Sequence, residues 1–216
     1  MRVYCVGYRK WAIDIYKYFY KNSSHRIKIC VSKRKFSIKK IIKFKPDYVL
    51  FYGWSSKVTK KLTDNFYCIM LHPSPLPKYR GGSPIQNQII NNVKKTKVTL
   101  FKMTEKFDDG PILADKSISL EGHLEDIFRR LTETGIFLTK KIFKGQFVQR
   151  KQSRIKTKFN KRRKPDQSEI TLYELKNKSG VYLYNKIRML EEPYPNAFFK
   201  TKDGLKLLIK RAELKK

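Results

Sequence analysis

Acidic residues are scarce in this chain of 216 residues: 18 Asp and Glu stand against 50 Lys and Arg, a formal net charge of +32. Over residues 1–104 the imbalance is steeper, with 23 basic side chains opposed only by Asp14, Asp47 and Asp64. Such an excess fits an anionic partner, whether nucleic acid, sugar nucleotide or acidic surface. It equally fits compositional drift, since Ala occurs four times while Lys, Ile, Tyr, Phe and Asn abound, and the basic residues are scattered rather than striped. Charge alone therefore names no partner. Cysteine is sparse as well: Cys5, Cys30 and Cys68 are odd in number, far apart and form no Cys-x-x-Cys, which argues against a disulfide framework and a zinc site. Long apolar runs are missing, and the opening MRVYCVGYRKW leads directly into a strand pattern without a charged-then-apolar leader. A soluble, cytoplasmic protein with no membrane partner is the expectation. Also absent are a G-x-G-x-x-G after the first strand, a Walker loop, a His-x-x-x-His and a G-x-S-x-G, so nicotinamide, ATP and metal chemistry are disfavoured and no metal ligands are expected.

What is present is a packable chain, 40% hydrophobic and 13% aromatic. Short apolar runs alternate with helical patterns: RVYCV then Trp11–Tyr20, RIKICV, DYVLFY then Lys57–Asn65, YCIML then Pro84–Asn91, and KVTLFKM. Strands of that buried, non-alternating kind separated by helices predict an α/β fold, a mostly parallel Rossmann-like sheet flanked by helices. A long helix is expected from about Glu125 to Lys144, with Leu124, Phe128, Leu131, Gly135, Leu138 and Ile142 on one face and Gly145 as its C-cap. Residues 1–149 then form the main domain. Residues 150–216 open with a run of nine basic residues and no acid, Arg150–Pro165, read as a largely solvated linker. A small C-terminal α+β subdomain follows, one helix near Val181–Leu190 and a hairpin turning at Asp203-Gly204, packed on the main domain or on a second subunit.

Two stretches carry chemistry. In CIMLHPSPLPKYRGGSPIQNQI, His72 ends a strand at the edge where open α/β sheets hold their ligands, and Pro73, Pro75 and Pro77 restrict the chain behind it. A structural histidine or a Pro-rich recognition segment would read the same way. In TEKFDDGPIL, Asp108 and Asp109 precede Gly110, which is also ordinary turn chemistry. The two together, at the ends of strands expected to be neighbours, make His72 and Asp108 a candidate acid/base pair over one crevice.

LHPSPLPKYRGGSPIQ resembles the signature of the folate-dependent formyltransferases, and VTLFKMTEKFDDGPIL is similar to that family's second segment, at the family's spacing. The tail, RRKPDQSEI followed by YNKIRMLEEPYPNAFF, resembles enzymes that formylate nucleotide-linked amino sugars. The resemblance implies transfer of a formyl group from 10-formyltetrahydrofolate, a co-substrate, to a primary amine, with His72 and Asp108 catalytic. It also implies an asparagine two residues before the histidine, where this chain has Met70. An Asn would donate to the oxyanion, and losing an essential donor of that kind costs about 3 to 4 kcal/mol. Gln86 and Asn87 are the nearest substitutes. Tyr52, Gly53, Trp54 and Ser55, with Phe107 and Asp109, match the folate side. Lys78, Tyr79 and Arg80 are candidates for holding an anionic acceptor, with Gly81 supplying backbone freedom, though Lys78 reads equally as a solvated charge. The implied acceptor is a nucleotide-linked 3- or 4-amino-dideoxy sugar destined for surface polysaccharide, and the resemblance also implies a homodimer, as the related sugar enzymes usually form. Methionyl-tRNA is the rival acceptor, suited to the charge and disfavoured by the short stretch after the long helix. An impaired homologue that binds folate or anions without turnover is the non-enzymatic alternative.

Overall fold

Runs of five apolar residues become the central strands, because a strand covered on both faces has no side left for polar alternation. In the computed structural model, which describes residues 1–155 and 157–215, β1 (Arg2–Val6), β2 (Arg26–Cys30), β3 (Tyr48–Tyr52) and β4 (Cys68–His72) are joined in parallel, and β5 (Lys95–Lys102) and β6 (Ile112–Ser119) add antiparallel neighbours. The six strands lie in the order β2-β1-β3-β4-β5-β6. This is the Rossmann-like, mostly parallel sheet that the strand and helix alternation predicts.

Helices cover both faces. α1 (Lys10–Asn22), α4 (Pro84–Ile90) and α5 (Leu124–Phe143) share one apolar cluster with Val3, Cys5, Leu50, Tyr52, Ile69 and Leu71. α2 (Ile38–Phe44) and α3 (Lys60–Asn65) share the other with Tyr4, Val6, Val49, Phe51 and Cys68. Successive strand residues go to opposite clusters, as the two-residue period requires. Parity therefore puts Cys68, Met70 and His72 on one face of β4. α1 is locked to the sheet by Tyr16, fully buried, whose hydroxyl accepts from Tyr52 N–H at 2.7 Å and donates to Val6 O at 2.9 Å.

α5 follows its expected stripe with one refinement: Ile127 is fully buried, while Phe128 is half-buried with its ring 6.2 Å from that of Tyr194. The helix ends where glycine takes a left-handed conformation, Gly145 at φ +68°, its N–H donating to Ile142 O. No helix among the described residues is long and apolar enough to cross a membrane.

The tail carries α6 (Leu172–Asn177), α7 (Gly180–Arg188) and the hairpin β7 (Ala197–Lys200) with β8 (Lys206–Ile209). It continues the main core rather than forming its own, since Met189, Leu190 and Ala197 join the α1/α5 cluster. Arg188 seals the junction: it is 2% exposed, and its guanidinium donates to Leu120 O at 2.7 Å, Gly122 O at 2.9 Å and Asn185 Oδ1 at 2.8 Å. A buried guanidinium is tolerable only when so many of its donors are used.

Candidate functional site

The proline-rich loop after β4 is poor in donors, because proline has no N–H, and several of its carbonyls are satisfied by side chains. Gln88 donates to Pro73 O at 2.8 Å, Thr99 to Ser74 O at 2.7 Å and Ser74 to Lys78 O at 2.8 Å. His72 takes the next: its Nε2 stands 3.0 Å from Tyr79 O, so Nε2–H donates and the ring is held from seven residues down its own loop. The histidine is 5% exposed. Its Nδ1 faces Asp108 Oδ2 at 3.8 Å, a distance too long for a direct hydrogen bond.

Asp108 does not reach this place as the end of a strand. β5 runs antiparallel to β4, pairing Thr99 with His72 and Lys102 with Ile69, so its C-terminal end lies three residues, roughly 10 Å, below the histidine. The loop after it doubles back. Gly110 permits the return, since a Cβ there would meet Lys102 O at 1.7 Å, and Asp108 itself adopts φ +50°. The Asp108 carboxylate, 8% exposed, accepts the Gly81 N–H at 2.8 Å. The expectation of two neighbouring strands holds; the pair is nevertheless brought together by a loop that climbs against the strand direction.

A third arm completes the site. Residues 157–163 run beside residues 77–83 at a constant offset: Thr157 Oγ1 donates to Pro77 O at 2.9 Å, Asn160 N–H to Arg80 O at 2.9 Å and Arg163 N–H to Ser83 Oγ at 3.1 Å. Gly82 N–H returns a bond to Asn160 O at 2.7 Å. Approach this close requires glycine, as a Cβ on Gly82 would stand 2.5 Å from the Arg162 backbone. The basic run read from sequence as a largely solvated linker is, over this stretch, a strap across the proline-rich loop.

The three arms enclose a cavity of about 550 Å³. Its floor includes Met70, His72 and Asp108, and Arg9, Lys161, Arg162, Arg163 and Lys164 supply cations to its lining, where Asp108 is the one acid among the described residues. The tail closes it with Leu190, Pro193, Tyr194 and Pro195. The field of these cations is visible on the tyrosines. Burial raises the Tyr8 hydroxyl, but a hydrogen bond with Ser55 and the charges of Lys33, Arg162 and Arg9 bring it below the usual phenol range. Burial pushes Tyr194 up against the opposing pull of Arg9 and Arg162. Arg163 is lowered by its own burial, opposed by Tyr182 and Glu174.

Of the expected residues, Gly53, Trp54, Ser55, Phe107, Gly81 and Gln86 line the cavity with His72 and Asp108. Tyr52 does not: it is fully buried on the α5 side, its hydroxyl hydrogen-bonded with Thr139 at 3.0 Å. Asp109 pairs with Arg80 at 2.6 Å outside the lining, and Lys78 is exposed. Tyr79 contributes its carbonyl to His72, and Asn87 donates to Gly82 O at 2.9 Å, away from the cavity. Between the two candidate substitutes for an asparagine at Met70, Gln86 is the one that lines it, its amide 3.4 Å from Met189 O. Sequence reasoning missed Arg9, Phe159 and the strap cations; the one available signal was the density of Arg and Lys just before Pro165.

The lining tests whether a folate-like group suits the cavity. Trp54 and Phe107 present aromatic surface to it and Ser55 a hydroxyl, which suits a flat, polar-edged ring, so the residues present fit. Trp54 Nε1 and Arg163 Nε are buried and have no hydrogen-bond partner among the described residues.

A family model described as formyl transferase matches residues 28–138, from β2 through most of α5. A curated relative, methionyl-tRNA formyltransferase of Lysinibacillus sphaericus (strain C3-41), is 31% identical over 180 residues, covering 77% of this chain and 54% of the relative; the chain thus spans about half the length of the curated relatives it matches. Among solved structures, a methionyl-tRNA formyltransferase from Clostridium thermocellum superposes with TM-score 0.90 at 32% identity, over 100% of this chain and 94% of that one. A 4-N formyltransferase from Francisella tularensis gives 0.79 at 19% identity over 100% and 98%. HypX from Aquifex aeolicus in complex with tetrahydrofolic acid gives 0.78 at 17% over 96% and 37%. The last two show the fold alone.

Proposed function

We propose, since this chain belongs to the formyl transferase family, that it moves a formyl group from 10-formyltetrahydrofolate to the primary amine of an anionic acceptor, a nucleotide-linked amino sugar. The observation that carries the reading is the buried His72–Asp108 pair, 3.8 Å apart, in a cavity whose lining is otherwise cationic. The folate supplies the formyl group; everything else falls to the chain. Asp108 accepts the proton that the amine loses on attack, its free Oδ1 being available because Oδ2 is committed to Gly81 N–H. His72, having taken up that proton from Asp108, offers Nδ1–H to the developing oxyanion or to the departing nitrogen, while Tyr79 O fixes the ring through Nε2. Trp54, Ser55 and Phe107 hold the folate side, and Gln86, which lines the cavity, is the candidate donor where Met70 cannot serve. Arg9, Arg162 and Arg163 hold the acceptor's phosphates.

A second reading, methionyl-tRNA as acceptor, is favoured by the relatives at 31–32% identity that carry that name. The strap cations suit phosphate in either case, the bridging phosphates of a nucleotide-linked sugar or the phosphodiesters of a tRNA. Tail residues Leu190 and Pro193 to Pro195 line the cavity and belong to the stretch whose sequence resembles the sugar enzymes, which favours the sugar. Purified protein given 10-formyltetrahydrofolate and either nucleotide-linked 3- and 4-amino sugars or charged initiator methionyl-tRNA decides: turnover on a sugar supports the proposal, turnover on tRNA alone replaces its acceptor, and none on either rejects it.

A further inference from the structure

One polar side chain links all three arms of the site. Gln152, half-buried at the start of the strap, donates through Nε2 to Asp108 O at 2.9 Å and to Gly110 O at 2.8 Å, and accepts through Oε1 from Arg80 Nη2 at 2.7 Å. Its amide orientation follows from chemistry: flipped, it would set oxygen against two carbonyls and N–H against a guanidinium. The same Arg80 nitrogen holds Asp109 at 2.6 Å. Gln152 is itself held in place two residues earlier, where Arg150 and Ile112 exchange backbone bonds of 2.8 and 3.0 Å at the edge of β6.

We infer that Gln152 is a positioning residue for formyl transfer: it clamps the returning loop so that Asp108 stays against His72 and Gly81. The inference rests on the proposed activity and on a need visible in the fold. Asp108 sits in a left-handed conformation at φ +50°, on a loop that must leave β5 at the far end and come back. A residue of that type strays from the left-handed region unless its surroundings hold it. The two carbonyls flanking Asp109 are the handles by which Gln152 does so, and the Gly81 N–H bond to Oδ2 then sets the carboxylate.

The test compares wild type, Gln152→Ala and the volume-conserving Gln152→Met, each alone and combined with Asp108→Asn, together with the exchange rate of the Gly81 amide hydrogen. The expected result is a kcat lowered about ten- to hundredfold with the KM for folate nearly unchanged, the size of effect that a misplacement of about 1 Å produces. In the Asp108→Asn background the same substitutions should add little, because a residue acting through Asp108 has nothing left to position. Gly81 exchange should quicken in both Gln152 variants, since its acceptor has loosened. A merely structural role would leave the cycle additive and Gly81 no more exposed than other amides. Full activity in Gln152→Met, additive losses, or unchanged Gly81 exchange overturns the inference. Wild-type protein inactive on every acceptor sinks the formyl-transfer reading instead, and Gly81 exchange then decides the clamp by itself.

Discussion

The two walls of the cavity are held by different means. The floor, with Met70, His72 and the proline loop, hangs from a strand in the middle of the sheet and is satisfied largely by its own neighbourhood, His72 by Tyr79 and Ser74 by Lys78. The strap hangs from nothing regular: residues 157–163 are held by hydrogen bonds to a segment 80 residues earlier and by the absence of a side chain at Gly82. In the proposed reaction the floor would carry the chemistry, where position must be fixed, and the strap the charge, where a conformation dependent on few contacts suffices to hold an anion.

The floor breaks most severely. His72→Ala and Asp108→Asn should each lower kcat by about a hundredfold or more, the span attributed to general acid–base groups, with acceptor KM little changed; steady-state kinetics on the acceptor that turns over checks this, and near-normal kcat would remove that residue from the mechanism. A middling effect is expected at the strap. Gly82→Ala places a methyl against the Arg162 backbone and should raise the acceptor KM about tenfold, the loss that displacing charge-assisted hydrogen bonds brings, while proteolysis within 150–165 speeds up. An unchanged KM would show that the strap cations do not hold the acceptor.

The smallest effect lies in the tail beyond the strap. Burial raises the Glu174 carboxyl, but hydrogen bonds from Lys186 at 2.6 and 2.7 Å, from Thr171 N–H and from Tyr182 outweigh it, and the group lies below the usual range. A depressed carboxyl contributes stability that is fully present above its unfolded pKa and lost as pH falls through its folded one. Acid should therefore loosen α6 and α7 before the sheet, and Glu174→Gln should abolish that early acid step when protease susceptibility is followed against pH. Simultaneous loss of sheet and tail in both proteins would contradict it.

How far the two walls could be read from sequence differs for the same reason. His72 was legible because apolar runs mark strands and prolines mark the loop behind them, both local signals. Asp108 was legible as half of a pair, yet the reversal of β5 was not, since a tight loop of Asp-Asp-Gly reads alike whether it ends a strand or climbs back along it. Tyr52 looked like the loop residues after it, but two-residue alternation places it toward α5. The strap left no periodicity at all: backbone amides do much of its pairing, and a run such as NKRRKP looks the same beside another loop as in water.

The constant offset of 80 residues also orders events in time. Closing so long a loop costs entropy that only already formed partners repay, so such contacts come late in folding. A chain with its sheet assembled and His72 in place would still lack its cationic wall, and on refolding the capacity to bind acceptor would return after the helical signal, not with it.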